Sequence, residues 1–255
     1  MPMQENGAIS LADIQTEFGG SNPIRINEYY GGSGFLPSSG TISFSDFYGL
    51  YVLPDPFGGG ELKSYLSFDD SNLHDPGGYT HSIVGSSSWI TGKDGIGIEL
   101  AANSYIAYDA GVADLLNGVP YTIIINNRRA TNDPNSVLLA CYKADGTLQL
   151  ELRTDNIRMY NSAGTELLND QLFSWESDVW RRYVLIVNDS RVEVIVAGVT
   201  SYGANVSGLL DTDIADIRIG SNYANTSTSE KIDSVSIFNF NLSTISISNL
   251  PTSGF

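Results

Sequence analysis

The strongest constraint on this chain is a rhythm of short apolar runs broken by hairpin-type turns. Residues alternate between β-branched or aromatic and polar side chains over four to eight positions, then a turn signal follows. Eleven segments have this character: Ser64–Phe68, Ile96–Leu100, Tyr105–Tyr108, Tyr121–Asn126, Val137–Tyr142, Leu148–Arg153, Ile157–Tyr160, Arg182–Val187, Val192–Val196, Ala215–Ile219 and Lys231–Phe238. Asp145-Gly146, Asn161-Ser162-Ala163-Gly164 and Asn188-Asp189-Ser190 punctuate them. Only Val112–Leu116 and Ser243–Leu250 carry a helical tendency. Strands without an intervening helical period exclude a doubly wound α/β fold. They predict a mainly β chain, an antiparallel jelly-roll sandwich.

Residues 1–60 break this rhythm. They hold 11 of the 26 Gly, and one basic residue, Arg25, against six acidic ones. A phrase of the form I-x-Φ-x-(D/E)-Φ recurs three times: Ile9–Ile14, Ile24–Tyr29 and Ile42–Phe47. In the first and third copies a serine precedes an aspartate by three, Ser10 to Asp13 and Ser43 to Asp46. That is the spacing of a capping box, in which hydroxyl and carboxylate satisfy orphan N–H groups at a helix start. Gly19, Gly31 and Gly49 stand where a short helix must stop. Helices of one or two turns are marginal alone, and so small a module can hide little of its own apolar surface. Two outcomes are open: docking on another chain, or a helical hairpin folded back on the main domain. We take the first as the expectation. Val52–Gly60, with Pro54, Pro56 and Gly58-Gly59-Gly60, reads as a linker. The expected organisation is an attachment module over 1–51, a linker over 52–60 and a β domain over 61–255.

Composition excludes several functions. A formal net charge of −16 opposes binding to nucleic acid or an anionic membrane. The apolar runs are too short for a transmembrane helix, and Met1–Gly7 lacks the character of a signal peptide. With 14 Tyr, 10 Phe and 3 Trp the chain is too aromatic for disorder. A single cysteine, Cys141, excludes a disulfide framework within one chain and falls in an apolar strand as a small core residue.

Catalytic patterns are missing. The two histidines, His74 and His81, share one loop region, and no G-x-S-x-G elbow occurs. Glu151 and Glu193 stand alone on their strands; Asp211, Asp213 and Asp216 come close in spacing but begin in a loop. No enzyme activity is expected. Asp69, Asp70 and Asp75, with His74, form an acid-rich loop and are a candidate calcium site, set against a turn whose carboxylates accept local N–H groups. No other cofactor is expected. A sugar site needs an aromatic platform with a few polar groups; the candidates are Tyr79, Trp89, Tyr202, Asn222, Tyr223 and Asn225. The pairs Arg128-Arg129 and Arg181-Arg182 read as neutralising nearby carboxylates.

Two resemblances add to this reading. Leu62–Asp69, Gly95–Glu99, Tyr121–Ile125, Trp180–Val187, Ile217–Gly220 and Lys231–Leu242 occur in an order that resembles the concanavalin A-like, laminin-G-like jelly-roll domain. Ile9–Ile24, followed by Tyr29-Tyr30-Gly31 and Ile42–Gly49, resembles a module at the front of tailed-bacteriophage structural proteins. The second resemblance implies a virion protein, a tail fibre or baseplate-associated appendage assembled in the host cytoplasm. Its module would attach to other virion proteins through Ile9, Leu11, Ile14, Phe18, Ile24, Tyr29, Tyr30, Phe44, Phe47 and Tyr48. The jelly roll would be displayed for attachment to host surface polysaccharide. A homo-oligomer, such as a trimer, suits a fibre. The alternatives are a capsid or tail decoration protein that binds no sugar and, third, a polysaccharide hydrolase.

Overall fold

The computed structural model describes residues 9–18, 25–29, 41–44, 62–66, 68, 71–73, 75, 79–93, 95–109, 113–129, 136–172, 178–197, 199–221 and 230–239. Chain contacts divide it into two compact units, Met1–Asp55 with Pro76–Gly78, and Pro56–Asp75 with Tyr79–Phe255.

In the first unit, helix α1 (Leu11–Phe18) starts at the expected capping box. The Asp13 amide donates to Ser10 Oγ at 3.2 Å, and Asp13 Oδ2 accepts from the Ser10 amide at 2.8 Å and from Ser10 Oγ at 2.6 Å. These bonds hold the Asp13 carboxyl below its ordinary pKa. The second copy has Arg25 where the first has Ser10, so it has no box, and it forms only a 3₁₀ turn, Ile26–Tyr29. Ile14 and Tyr29, the last apolar positions of copies one and two, are buried together. Ile9, Leu11, Ile26 and Ile42 pack on them. Apolar residues from all three copies thus meet in one small core. Phe44, by contrast, is 42% exposed.

The second unit is a sandwich of two antiparallel sheets, and all eleven expected strands are present. Its strands are β1 (Leu62–Leu66), β2 (His81–Val84), β3 (Ser87–Thr91), β4 (Ile96–Leu100), β5 (Tyr105–Tyr108), β6 (Tyr121–Arg129), β7 (Val137–Tyr142), β8 (Leu148–Arg153), β9 (Asn156–Tyr160), β10 (Glu166–Gln171), β11 (Arg181–Asn188), β12 (Arg191–Val196), β13 (Val199–Asn205), β14 (Asp216–Ile219) and β15 (Glu230–Phe238). One sheet runs β13-β12-β11-β6-β15-β4-β3, with β1 also pairing β15; the other runs β10-β9-β8-β7-β14-β5-β2. Short helix α2 (Ala113–Leu116) precedes β6. The second helical expectation, Ser243–Leu250, and the linker 52–60 lie outside the described residues.

The hairpins form where the turn residues stand. Between β7 and β8, Gly146 adopts a φ of +85° and its amide donates to the Lys143 carbonyl, while Asp145 Oδ1 accepts from the Thr147 amide. Between β11 and β12, Asn188 Oδ1 accepts from the Ser190 amide at 3.0 Å. Alternation fills the core: Ile123, Ile125, Leu185, Val187, Val194 and Val235 face Leu139, Cys141, Leu150, Leu152, Ile157 and Ile217 across the sandwich. Four strands were not expected from sequence, namely β2, β3, β10 and β13, and they are the four outermost strands of the two sheets.

Candidate ligand-binding site at the sandwich edge

The sandwich has two lateral edges, and the structure treats them differently. At one, β13 and β10 carry Tyr202 and Asp170; the Tyr202 hydroxyl donates to Asp170 Oδ2 at 2.7 Å and ties the two sheets together. Partial burial, then this bond to a carboxylate, raises the Tyr202 phenol well above its ordinary pKa. Tyr202 also packs on the core. Its geometry is that of a latch.

At the other edge, Trp89 stands on β3 and is 39% exposed, with its ring 6.3 Å from Phe68. Tyr79 lies beside the core with its ring 6.4 Å from Tyr108. Trp89 and Tyr202 sit on strands six pairings apart in one sheet, about 29 Å at roughly 4.8 Å per strand. They cannot share one sugar ring. Asn222, Tyr223 and Asn225 lie outside the described residues.

On the face of β3 opposite to Trp89, which pairs with the core residue Ile98, an open groove of ≈ 390 Å³ is lined by Ser86, Ser87, Ser88, Glu99, Ala101 and Ala102. It lies toward the low end of the size range of small-molecule sites. The small Ser and Ala side chains leave this space open. The β3–β4 hairpin that frames it is held tightly: the Gly92 amide donates to the Gly95 carbonyl at 3.0 Å, and the Lys93 amide donates to Asp233 Oδ2 at 3.1 Å. A side chain at Gly97 would come within 2.9 Å of the Ile232 carbonyl, so β4 and β15 approach as closely as glycine permits. Sequence reading found Trp89 but missed the serines and Glu99, because three consecutive serines carry no periodic signal.

The acid-rich loop places Asp75 in the interior. Its side chain is fully buried. It accepts from Ser64 Oγ at 2.5 Å, the Tyr65 amide at 3.1 Å and His81 Nε2 at 2.9 Å. Ser64 Oγ also meets the Tyr108 hydroxyl at 2.9 Å, and the His81 ring lies edge-on to Tyr108 at 4.2 Å. Serine, aspartate and histidine are therefore together, but the carboxylate stands between hydroxyl and imidazole. In a nucleophilic triad the imidazole must touch the hydroxyl to take its proton. The cluster is a structural tie between β1, β2 and β5. Among the described residues no group of three or more His, Cys, Asp or Glu side chains is arranged to hold a metal; Asp69, Asp70 and His74 lie outside them.

The other carboxylates are engaged. Glu151 is paired with Arg153 at 2.9 Å and Arg158 at 3.8 Å, Asp216 with Arg218 at 2.9 Å, and Asp213 with Lys143 at 3.2 Å. Asp211 accepts from Ser162 Oγ at 3.1 Å. Arg128 pairs with Asp178 at 2.8 Å, as expected for a neutralising arginine.

Of the residues expected to anchor the first unit, Ile14 and Tyr29 are consumed by its own core, Ile9 and Leu11 are half-buried, and Phe44 faces outward. The Phe18 side chain and Ile24, Tyr30, Phe47 and Tyr48 lie outside the described residues.

The fold defines the class: an antiparallel β-sandwich of two sheets. No family model and no curated protein matches the chain. Among solved structures, it is similar to domain 4 of AbnA, a GH43 extracellular arabinanase from Geobacillus stearothermophilus, in complex with arabinotriose. That match has a TM-score of 0.63 and 16% identity, covering 75% of this chain and 98% of that one. It is also similar to the binding domain of Paraclostridial Mosquitocidal Protein 1 (TM-score 0.60, 17% identity, covering 74% of this chain and 51% of that one). The binding domain of botulinum neurotoxin DC in complex with SialylT is a third (TM-score 0.60, 13% identity, covering 75% and 50%). The chain thus spans about half the length of the two toxin domains. At these identities the likeness is one of fold.

Proposed function

We propose that the chain is a non-enzymatic structural protein of a tailed-bacteriophage virion, a tail fibre or baseplate-associated appendage. Its first unit attaches it to the particle, and its sandwich binds polysaccharide on the host surface. The observation that carries the sugar-binding part is the edge strand β3, which carries the exposed Trp89 on one face and opens a polar groove at Ser88 and Glu99 on the other, on a fold shared with a domain solved with arabinotriose. Botulinum neurotoxin type C, a further fold neighbour, depends for cell entry upon interaction with two ganglioside molecules. Trp89 offers an aromatic face to the apolar side of a sugar ring, and across β3 the groove offers hydroxyls and a carboxylate to sugar hydroxyls. A shallow site of this size binds weakly, and many copies on one particle turn weak contacts into firm attachment.

The virion part rests on the phrase Ile9–Ile24, followed by Tyr29-Tyr30-Gly31 and Ile42–Gly49. Because Ile14 and Tyr29 support the unit's own core, the attachment surface is built from what remains outside it, the exposed Phe44 included. The engaged carboxylates favour binding over hydrolysis.

A glycan array probed with the intact protein tests the sugar-binding reading. Binding that falls at least about tenfold in Trp89→Ala or in Ser88→Tyr supports it; no binding at high protein density favours a decoration protein instead. A 61–255 fragment is expected to stay soluble and fail to join particles, and its incorporation would remove the attachment role of the first unit.

A further inference from the structure

The register of the eight-stranded sheet sets four polar side chains in one row on its outer face. Ser88 on β3 lies opposite Glu99 on β4, Glu99 opposite Lys231 on β15, and Lys231 opposite Arg128 on β6. Their neighbours in sequence, Ile98, Leu100 and Ile232, point into the core, so this row points out. Glu99, Lys231 and Arg128 keep 32%, 20% and 31% of their side chains exposed. The row spans three strand gaps, about 14 Å at roughly 4.8 Å each, and its Ser88 end opens into the edge groove.

The charges along the row are balanced. Lys231 Nζ faces Glu99 Oε1 at 3.9 Å, and Arg128 faces Asp178 at 2.8 Å. Two carboxylates and two cations sum to zero, so the row offers an anion no net attraction. The chain as a whole, at −16, repels one. What the row does offer is alternation. A carboxylate accepts from two hydroxyls, and ammonium and guanidinium groups donate to hydroxyl oxygens. A polyol carrying both donor and acceptor at every hydroxyl satisfies both kinds of group in turn.

We propose that the ligand of this site is an uncharged polysaccharide lying across β3, β4, β15 and β6, with one sugar in the groove and its neighbours over Lys231 and Arg128. This rests on the glycan-binding reading above and adds to it the charge class and the path of the chain. Acidic polymers, whether sulfated or uronate-rich, are excluded by Glu99 and by the overall field.

The test uses the full-length protein on surfaces bearing dextran, galactomannan, arabinan, alginate or dextran sulfate. The expected result is retention on at least one of the three neutral polymers, little changed between about 0.05 and 0.5 M salt because screening has no net charge to act on. Glu99→Gln and Lys231→Gln each weaken it by at least about tenfold. Ser88→Tyr, on an exposed edge strand, fills the groove without touching the core and does the same. Retention on alginate or dextran sulfate alone, fading with salt, overturns the proposal and leaves glycan binding standing. So does loss of binding in Trp89→Ala with Glu99→Gln unaffected, which moves the contact to the other side of β3. No retention on any of the five overturns this proposal and the glycan reading together.

Discussion

Replacing Asp75 with alanine tests the buried tie most directly. The carboxylate is fully enclosed and accepts from Ser64 Oγ, the Tyr65 amide and His81 Nε2. Without it, Ser64 can turn wholly to the Tyr108 hydroxyl, 2.9 Å away. The Tyr65 amide loses its acceptor inside the sandwich. His81 loses the partner of Nε2, and its Nδ1 is already buried without a hydrogen bond among the described residues. Each stranded donor costs about 1–3 kcal/mol, so the two together cost about 2–6 kcal/mol. For a domain of this size that corresponds to a Tm lower by roughly 10 °C. Asp75→Asn keeps the shape and one acceptor oxygen but turns an N–H toward a donor, so its cost falls between wild type and alanine, about 1–3 kcal/mol. Urea unfolding followed by tryptophan fluorescence measures both, with an unchanged slope showing that only stability moved. An alanine variant less than about 1 kcal/mol below wild type, or an asparagine variant as damaged as alanine, would refute the reasoning.

Three further outcomes are expected. Tyr202→Phe removes only the hydroxyl that latches β13 to β10; it should cost about 1 kcal/mol by urea unfolding and leave glycan binding unchanged, whereas altered binding would return Tyr202 to the site. Gly220→Ala places a Cβ 2.4 Å from Leu100 Cδ1 at a φ of +97°, so a loss of about 2–4 kcal/mol should appear in the same assay. On the alkaline side, burial raises the Tyr108 and Tyr121 phenols far above their unfolded values near 10. A raised folded pKa contributes stability that is complete below the unfolded pKa and lost as pH climbs toward the folded one. Stability should therefore fall above about pH 10, with phenolate absorbance from these two residues arising only as the chain unfolds; their titration in a folded chain would contradict the enclosure described.

The interior of this fold is legible because burial on one face imposes a period of two. Tyr121, Ile123 and Ile125 on β6 and Leu185 and Val187 on β11 show that period in the sequence, and the register sets them side by side: Tyr121 lies opposite Val187, and Ile123 opposite Leu185. The capping box at Ser10 is equally readable, because it is a local hydrogen-bond pattern. The tie at Asp75 is not: Ser64, Asp75, His81 and Tyr108 are joined only by the crossing of three strands, and spacing along the chain says nothing of it. Asp75, one of the three aspartates that invited a calcium reading, is engaged by protein donors.

The four strands that sequence did not reveal follow from the same physics. An outermost strand has one neighbour instead of two and hides less of itself, so it is free of the alternation that betrays an inner strand. Of the residues in β3, four are exposed and one half-buried; in β10 only Leu168 is buried. Such strands are where a sandwich meets its surroundings, and selection on them follows the ligand or the latch. Here the β10–β13 edge is tied by Tyr202 and Asp170, while β3 carries Trp89 and the serine groove. The part of the chain hardest to read as structure is thus the part on which the proposed function depends. The row from Ser88 to Arg128 emerges only once β3, β4, β15 and β6 are in register, since Glu99, Arg128 and Lys231 are far apart in sequence.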